Sequence, residues 1–368
     1  MTSFLRKFIG MNWLLIAVML GLTVFGIVAV YSASFFKTDD YWHKQASWAC
    51  AALVVFFIVS LLDYRWIKWA ALPIYLVSIV ALVLTYTPLG VEHGGAKCWL
   101  KVPGLPEFQP SQLTIIGGIL VLSLFLSQFR HLHPMLRLAF CGAIAGGPML
   151  LILKQPDVGM TMAWMPVLLA ILFVGGIPKR YLYCILIIGI AMLPLAYYFG
   201  MKPYQQKRII AFVDPDIDPQ GAGWGIKQSL IAIGSGGWWG KGFKAPATQV
   251  EQGFLPSTTV HTDYIFAAVG EQWGFKGALL LLGTFAILLL TVFIVGHQAA
   301  DDVGLLLCVG VGTLIFFHVY QNVGMTIQLM PITGLPLPFI SYGGSFLVIV
   351  MLGLGLVNSV WVHRKLVE

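Results

Sequence analysis

The sequence predicts an all-α polytopic membrane protein, and three observations support that class. Hydrophobic residues make up 58% of the 368-residue chain, whereas charged residues make up only 10%. An ordinary soluble domain carries about 25% charged residues, so this chain has too little polar surface to fold in water. The mean hydropathy is +0.86. The hydrophobic residues also fall in long runs, and a helix needs roughly 20 apolar residues to cross a bilayer core.

Counting runs of that length predicts ten transmembrane helices. The eighth run holds about 34 residues, or ~50 Å of helix, which exceeds one bilayer core. We therefore expect its first turns to stand outside the core or to be broken at Gly274 and Gly277. The ten predicted spans are residues 11–33, 46–62, 67–87, 110–127, 137–154, 160–176, 181–199, 263–296, 303–323 and 338–361.

Basic residues indicate how the spans are oriented. Short loops on one predicted side are richer in Lys and Arg than those on the other, and such loops normally lie in the cytoplasm. Both termini fall on that side, and loops at about 88–109 and 200–262 fall outside. The net charge of +7 is thus attributed to membrane sidedness, and no nucleic-acid partner is expected. Residues 1–368 are treated as one membrane domain.

The loop at 200–262 is long enough to carry a function. Its segment IKQSLIAIG has helical spacing, and GSGG follows at 234–237. Glycines let backbone N–H groups approach a phosphate closely. Arg208 and Lys241 add positive charge to the same loop. These residues indicate either a phosphate site or a flexible glycine hinge among basic residues at the membrane interface.

Asp263 stands directly before the eighth span, in the sequence HTDYIF. An ionisable residue at the edge of a span is costly to desolvate and is therefore a candidate functional residue. Three roles remain open for Asp263: a general base, a metal ligand, or a structural partner. The structural role would be a salt bridge, or a helix cap together with Thr262.

Two more acidic residues adjoin apolar runs. Glu271 lies about two helical turns beyond Asp263, so both face roughly the same side. For Glu271 we predict a structural contact with Lys276 and a position near water. For Asp157, in KQPDVG, an ion pair with Lys154 is favoured over a ligand site.

The segment PITGLPLPFISYGGS, at 331–345, holds three prolines and three glycines beside the last span. Non-helical backbone survives at membrane depth only where protein or a water-filled cavity covers it. The segment therefore either lines a cavity or forms a rigid re-entrant turn.

Taken together, these motifs resemble the SEDS family (shape, elongation, division and sporulation proteins). The GSGG signature and the NVGM and LMPITG segments are more similar to the elongation branch of that family than to its division branch. The resemblance covers nearly the whole chain. The motifs that carry it are GAKCWL at 95–100, FQPSQ at 108–112, QPDVG at 155–159, GAGWGIKQSLIAIGSGGWWGKG at 221–242, HTDYIFAAVGEQWG at 261–274 and NVGMTIQLMPITGLPLPFISYGGS at 322–345.

The resemblance implies a peptidoglycan glycosyltransferase that polymerises lipid II, for elongation and rod shape, at the outer face of the bacterial cytoplasmic membrane. It also implies contact with membrane lipids and the growing lipid-linked glycan, and work beside a class B penicillin-binding protein in the elongation machinery. The family's catalytic aspartate falls on Asp263, as a general base or as a ligand of a divalent metal, Mg²⁺ or Mn²⁺.

Other site residues follow from the matching motifs. The substrate-binding candidates are Arg208, Gln228, Ser235, Gly236, Lys241, His261, Thr262, Trp99 and Lys97, and the supporting candidates are Glu271, Asp157, Ser341 and Tyr342. Among them, Arg208, Lys241 and the GSGG backbone are expected to receive the charge of the diphosphate leaving group.

The chain departs from the family pattern between residues 97 and 115. Cys98 stands where the family has an arginine, and Lys97 is its candidate substitute. Gln112 replaces a glutamate, and Ile115 replaces a lysine three residues later. Residues at that spacing are neighbours on a helix, so a charge contact is lost together with both partners.

Three other functions compete with this one. A lipid II flippase or other transporter should carry polar residues across the midplane of the membrane, whereas the ionisable residues here gather at the outer face. A scaffold that only recruits an enzyme would not need Asp263. A division paralogue of the same family would perform the same reaction elsewhere in the cell.

Overall fold

The computed structural model describes residues 3–34, 40–93, 95–104 and 106–364. The all-α class is confirmed, with one two-stranded β-hairpin in addition. The helices are α1 (Ser3–Ile9), α2 (Trp13–Ala33), α3 (Tyr41–Leu61), α4 (Ile67–Leu84), α5 (Pro110–Gln128), α6 (Pro134–Lys154), α7 (Val158–Val174), α8 (Lys179–Leu195), α9 (Pro203–Val213), α10 (Ala222–Gly236), α11 (Ile265–His297), α12 (Asp302–Thr326) and α13 (Gly344–Val362); the strands are β1 (Gly90–His93) and β2 (Ala96–Leu100).

The apolar runs form helices close to their predicted bounds. In the described part, nine helices are long and apolar enough to cross a bilayer. The sixth predicted span is the shorter apolar helix α7, of 17 residues. The count of ten spans therefore stays a prediction.

Local sequence signals set the beginnings of several helices. Asn12 precedes α2 and accepts a hydrogen bond from the backbone N–H of Leu15, which satisfies one of the free donors of the first turn. The backbone N–H of Asn12 in turn donates to Oδ1 of Asn358, on α13, at 2.9 Å. Pro110 and Pro134 occupy the first positions of α5 and α6, where a missing N–H costs nothing.

Helix α12 lies at the centre of the bundle, against α5, α7, α11 and α13. It is buried along most of its length, as is α5. Helix α8 is almost wholly exposed and presents an apolar surface. In a membrane such a surface faces lipid, so α8 is a peripheral helix beside a tightly packed centre.

Helix α11 is broken at Gly274, as predicted, whereas Gly277 stays helical. Gly274 has φ 66° and ψ −165°, a conformation that residues with a Cβ rarely adopt. The segment after α10 pairs with the backbone at this break. The N–H of Lys241 donates to the carbonyl of Glu271 at 2.9 Å, and the N–H of Phe275 donates to the carbonyl of Gly237 at 2.8 Å.

The expectations for Glu271 are wrong in two respects. Glu271 is fully buried rather than near water. Its partner is Lys241, whose Nζ lies 2.8 Å from Oε1, whereas Lys276 lies over the ring of Trp239. The break at Gly274 changes the direction of the helix between Glu271 and Lys276, and the loop brings Lys241 to the buried carboxylate instead.

We expect Gly274→Ala to lower the apparent melting temperature of the purified protein in detergent. A Cβ there would lie 2.3 Å from the backbone nitrogen of Gly240, and a strained φ costs roughly 1–3 kcal/mol. Gly283→Ala is the control, because no atom lies within 4 Å of its added Cβ. Equal melting temperatures for the two variants would contradict a structural role for the break.

Candidate functional site

A cavity of about 370 Å³ opens at one end of the bundle. The β-hairpin, the starts of α5 and α7, helix α9 and the irregular segment 331–336 surround it. Its polar lining side chains are His93, Cys98, Trp99, Gln109, Asp157, Tyr204, Gln205, Arg208 and Thr333. Leu193 and Met201, at the end of α8 and just beyond it, complete an apolar side.

The segment 331–343 is neither helix nor strand, and its residues 331–336 line this cavity. Three buried side chains of α12 bind its carbonyl groups. Gln321 Nε2 donates to Pro331 O at 2.8 Å and Asn322 Nδ2 donates to Leu335 O at 2.9 Å. A ring nitrogen of His318 lies 3.1 Å from Pro336 O. These bonds provide the partners that irregular backbone needs inside a membrane.

The backbone around Asp263 is held from both sides. Ser341 Oγ donates to the carbonyl of Thr262 at 2.6 Å, and the N–H of Tyr342 donates to the carbonyl of His261 at 2.8 Å. Asn322 Nδ2 also lies 3.2 Å from the carbonyl of Asp263. The predicted supporting residues Ser341 and Tyr342 therefore fix the turn that carries Asp263.

The carboxyl group of Asp263 lies next to the cavity, behind a residue that lines it, but is not itself part of the lining. Its Oδ2 is 3.6 Å from the position that a Cβ would take on Gly334, a lining residue. Burial raises the pKa of Asp263 to about 6, although the charge of Arg208 and a hydrogen bond from Thr262 act in the opposite direction. A carboxyl group with such a pKa can exchange a proton near neutral pH.

Asp263 fits neither of the two structural roles, helix cap and salt-bridge partner. Helix α11 begins at Ile265, its N-cap residue is Tyr264, and that cap makes no side-chain hydrogen bond. Among the described residues, no salt bridge within 4.0 Å includes Asp263. The carboxyl group is therefore neither the cap of α11 nor half of a close ion pair.

Asp157 is a second carboxyl group of the cavity. It caps α7 by accepting a hydrogen bond from the N–H of Met160 at 3.0 Å, and it accepts another from Gln109 Nε2 at 2.6 Å. The expected ion pair with Lys154 is wrong, because no salt bridge of Asp157 occurs in the described part. Burial raises its pKa to about 6, and the charge of Arg208 lowers it. Arg208 thus influences both carboxyl groups.

The structure groups only some of the sequence-predicted residues at this site. Trp99, Asp157 and Arg208 line the cavity. His261 and Thr262 flank Asp263, and the His261 ring stacks on Tyr41. Lys97 is exposed and donates to the carbonyl of Thr87 at 3.0 Å, and Gln228 lies half-buried on α10; neither lines the cavity.

The assignment of the GSGG segment and Lys241 to the diphosphate is not supported. Ser235 and Gly236 form the last turn of α10, where Ser235 is exposed and Gly236 packs against Gly270 and Glu271 of α11. A helix C-terminus presents carbonyl groups and partial negative charge, which disfavours an anion. Lys241 is bound to Glu271. These residues join two helices rather than lining the cavity.

Sequence reasoning missed several residues of the site. Asn322, in the apolar run of α12, binds the backbone of both Asp263 and Leu335. Gln109 lines the cavity and binds Asp157. For Asn322, the available signal was a polar amide inside an apolar run, because such a group must find a partner when buried.

One of the departures from the family pattern, Cys98, lies at the same cavity. Cys98 lines it, and burial raises the pKa of its thiol to about 12, so the thiol stays neutral. Gln112 and Ile115 are both buried in α5. A lone glutamate or lysine would be costly at such positions, which fits their joint replacement by uncharged residues.

The sequence matches the family FTSW_RODA_SPOVE, described as cell cycle protein, over residues 12–366. The chain belongs to this family. It is 31% identical to the peptidoglycan glycosyltransferase MrdB of Escherichia coli, with 96% of this chain and 94% of the relative covered. It is 33% identical to the peptidoglycan glycosyltransferase RodA of Treponema pallidum, with 95% and 97% covered.

Solved structures agree with this family. A chain from a peptidoglycan synthase complex, described as coordinating polymerization and crosslinking, matches with a TM-score of 0.81 and 29% identity, over 95% of this chain and 97% of that one. The rod shape determining protein RodA of Thermus thermophilus matches with a TM-score of 0.73 and 27% identity, over 97% and 98%.

We expect Asn322→Ala to loosen the turn that carries Asp263. The substitution leaves two carbonyl groups without their donor, which costs roughly 2–4 kcal/mol. Hydrogen exchange of residues 259–264 should become faster, and the apparent melting temperature should fall. Thr284→Ala is the control, because the half-buried Thr284 donates to the carbonyl of Leu280 within its own helix and not to the turn. Unchanged exchange in Asn322→Ala would show that this amide does not hold the turn.

Proposed function

We propose that this chain is a peptidoglycan glycosyltransferase that polymerises lipid II at the outer face of the bacterial cytoplasmic membrane. Membership of the family and the names of its relatives support this activity. The observation that carries the proposal is the position of Asp263, whose carboxyl group lies beside Gly334 at the edge of a cavity that Arg208 lines. This reaction requires a base and a cation close to the same substrate.

The reaction joins two lipid-linked saccharides. The 4-hydroxyl of the acceptor sugar attacks C1 of the donor sugar, a new C–O bond forms, and the bond from C1 to the diphosphate breaks. Asp263 takes the proton of the hydroxyl, and the polyprenyl diphosphate leaves with the electron pair of the broken bond. General-base catalysis of this kind contributes about 10²–10⁴-fold, and it is most effective when the pKa of the base lies near the working pH.

Arg208 is the residue best placed to stabilise the leaving diphosphate. Its guanidinium group is always charged and can donate two parallel hydrogen bonds to phosphate oxygens. Arg208 lines the cavity, and its charge reaches both Asp157 and Asp263. Lys241 does not share this role, because it neutralises the buried Glu271.

A divalent metal fits this site only as a partner of the substrate. No group of three or more His, Cys, Asp and Glu side chains that could hold a metal occurs among the described residues. Mg²⁺ commonly binds through one or two carboxylates together with substrate phosphates, and Asp263 is the residue that would hold it. A bound Mg²⁺ or Mn²⁺ would supply positive charge to the departing diphosphate.

The apolar side of the cavity suits the lipid part of the substrate. Leu193 and Met201 line it beside the peripheral helix α8, whose exposed surface is apolar. A polyprenyl chain can therefore leave the cavity along α8 into the bilayer while its diphosphate stays near Arg208. This arrangement separates the charged and apolar halves of one molecule.

The proposal includes a cellular role and a partner. The resemblance to a peptidoglycan synthase complex supports work beside a crosslinking enzyme, a class B penicillin-binding protein. The similarity to RodA and MrdB supports elongation. A division role is the second candidate, since a probable glycosyltransferase FtsW of Trichlorobacter lovleyi is also 33% identical. Complementation of rod-shape and division mutants separates the two.

We expect Asp263→Asn to reduce the polymerisation of labelled lipid II by about 10²–10⁴-fold, because the amide cannot accept the proton of the acceptor hydroxyl. The assay uses purified protein with its transpeptidase partner and measures glycan length on gels. Asp216→Asn is the control, on an exposed carboxylate bound to Lys227. Full polymerisation by Asp263→Asn would refute the proposed mechanism.

The pH profile tests the coupling between Arg208 and Asp263. The charge of Arg208 lowers the pKa of Asp263, so Arg208→Ala should raise that pKa. Because the base must be ionised, activity should then be lost at a higher pH as the pH falls. The variant should also be roughly 10²-fold slower, since a donor to the leaving group is missing. If the activity of Arg208→Ala falls at the same acidic pH as that of wild type, this coupling is contradicted.

A further inference from the structure

A chain of side-chain hydrogen bonds runs from α13 to the cavity. Ser345 Oγ donates to Gln112 Oε1 at 3.3 Å, and Gln112 Nε2 donates to Gln109 Oε1 at 2.8 Å. Gln109 Nε2 then donates to Asp157 Oδ2 at 2.6 Å. Ser345 and Gln112 are buried and do not line the cavity, whereas Gln109 and Asp157 do.

The chemistry of each group fixes the direction in which this chain of hydrogen bonds donates, from Ser345 toward Asp157. An ionised carboxylate can only accept hydrogen bonds, so Gln109 must turn its NH₂ group toward Asp157. Its oxygen then faces Gln112, which must present an NH₂ group in turn. The oxygen of Gln112 meets Ser345, whose hydroxyl can donate. Every member therefore has a partner only when both amides point the same way along the chain.

We propose that Gln112 and Ser345 are positioning residues that act through Gln109, fixing its amide so that it donates to Asp157 and keeps this carboxylate ionised and oriented in the cavity. The inference rests on the proposed function, since it names Asp157 as a substrate-binding group of the same site. Asp157 then accepts hydrogen bonds from the hydroxyl or amide groups of a sugar beside Trp99.

The surroundings of Asp157 explain why the donor matters. Burial disfavours the charged form of this carboxyl group, whereas Gln109 and the N–H of Met160 favour it. Arg208 of α9 also favours the charged form. Within the described residues, other titratable groups near Asp157 are Tyr204 of α9, Cys98 of β2 and, across the same cavity, His93 of β1.

Gln112→Glu tests the direction of this chain of hydrogen bonds. While it is ionised, the new carboxylate keeps the shape of the side chain but cannot donate, so Gln109 turns its NH₂ group toward residue 112 and its oxygen toward Asp157. Ile115, three residues later, offers no charge to neutralise the glutamate. We expect polymerisation of lipid II at neutral pH to fall roughly tenfold, as suits the loss of one hydrogen bond to a charged group. The acid limb of the pH profile should move to higher pH.

Two further variants keep the test independent of folding. Ser111→Ala is the matched control, because Ser111 is a buried neighbour on α5 outside the chain of hydrogen bonds. If Gln112→Glu does not fold, Gln109→Leu removes the donor at the edge of the cavity instead and should give the same shift. A folded Gln112→Glu or Gln109→Leu with the wild-type pH profile and rate would overturn the proposal.

An infrared titration separates this inference from the proposed function. The band of the protonated Asp157 carboxyl, assigned as the one absent in Asp157→Asn, can be followed against pH without substrate. We expect the band to persist to higher pH in Gln112→Glu than in wild type and in Ser111→Ala. If wild type does not polymerise lipid II but this shift occurs, the enzymatic proposal fails and the positioning chain stands. If the band does not shift, the positioning chain fails whatever the activity.

Discussion

The structure depends on one constraint: backbone that is not helical must find hydrogen-bond partners at membrane depth. The segment 331–343 meets it through buried side chains of α12, whose amides and imidazole bind its carbonyl groups. The amide of Asn322 also donates a hydrogen bond to the carbonyl of Asp263. Because one amide holds both the cavity wall and the turn beside it, the position of the carboxyl group follows from the way the backbone is satisfied.

Charge in this protein is divided between two separate tasks. Glu271 and Lys241 form a buried pair that ties the loop after α10 to α11, next to the break at Gly274. Removing one member of such a pair is costly because the other charge stays buried and unpaired. Arg208, Asp157 and Asp263 have no such close pairing among the described residues. Their charges are therefore not neutralised by a close ion pair and remain available to a charged substrate.

Burial gives the two carboxyl groups of the site their chemical character. Desolvation raises the pKa of each to about 6, and Arg208 opposes the shift in both. Asp157 additionally accepts hydrogen bonds from Gln109 and Met160, whereas Asp263 has Thr262 as its side-chain partner. The environment thus suits Asp157 to a fixed acceptor and Asp263 to a proton acceptor, although both are the same residue type.

The sequence by itself determined the apolar helices, the break at Gly274 and the candidacy of Asp263, because hydropathy, glycine and an isolated charge are local signals. It could not determine that Glu271 pairs with Lys241 rather than Lys276, that GSGG ends a helix, or that Gln109 and Asn322 belong to the site. These facts depend on contacts between residues far apart in the chain. Only tertiary packing decides which buried polar groups meet, because each must find its partner wherever the fold places one.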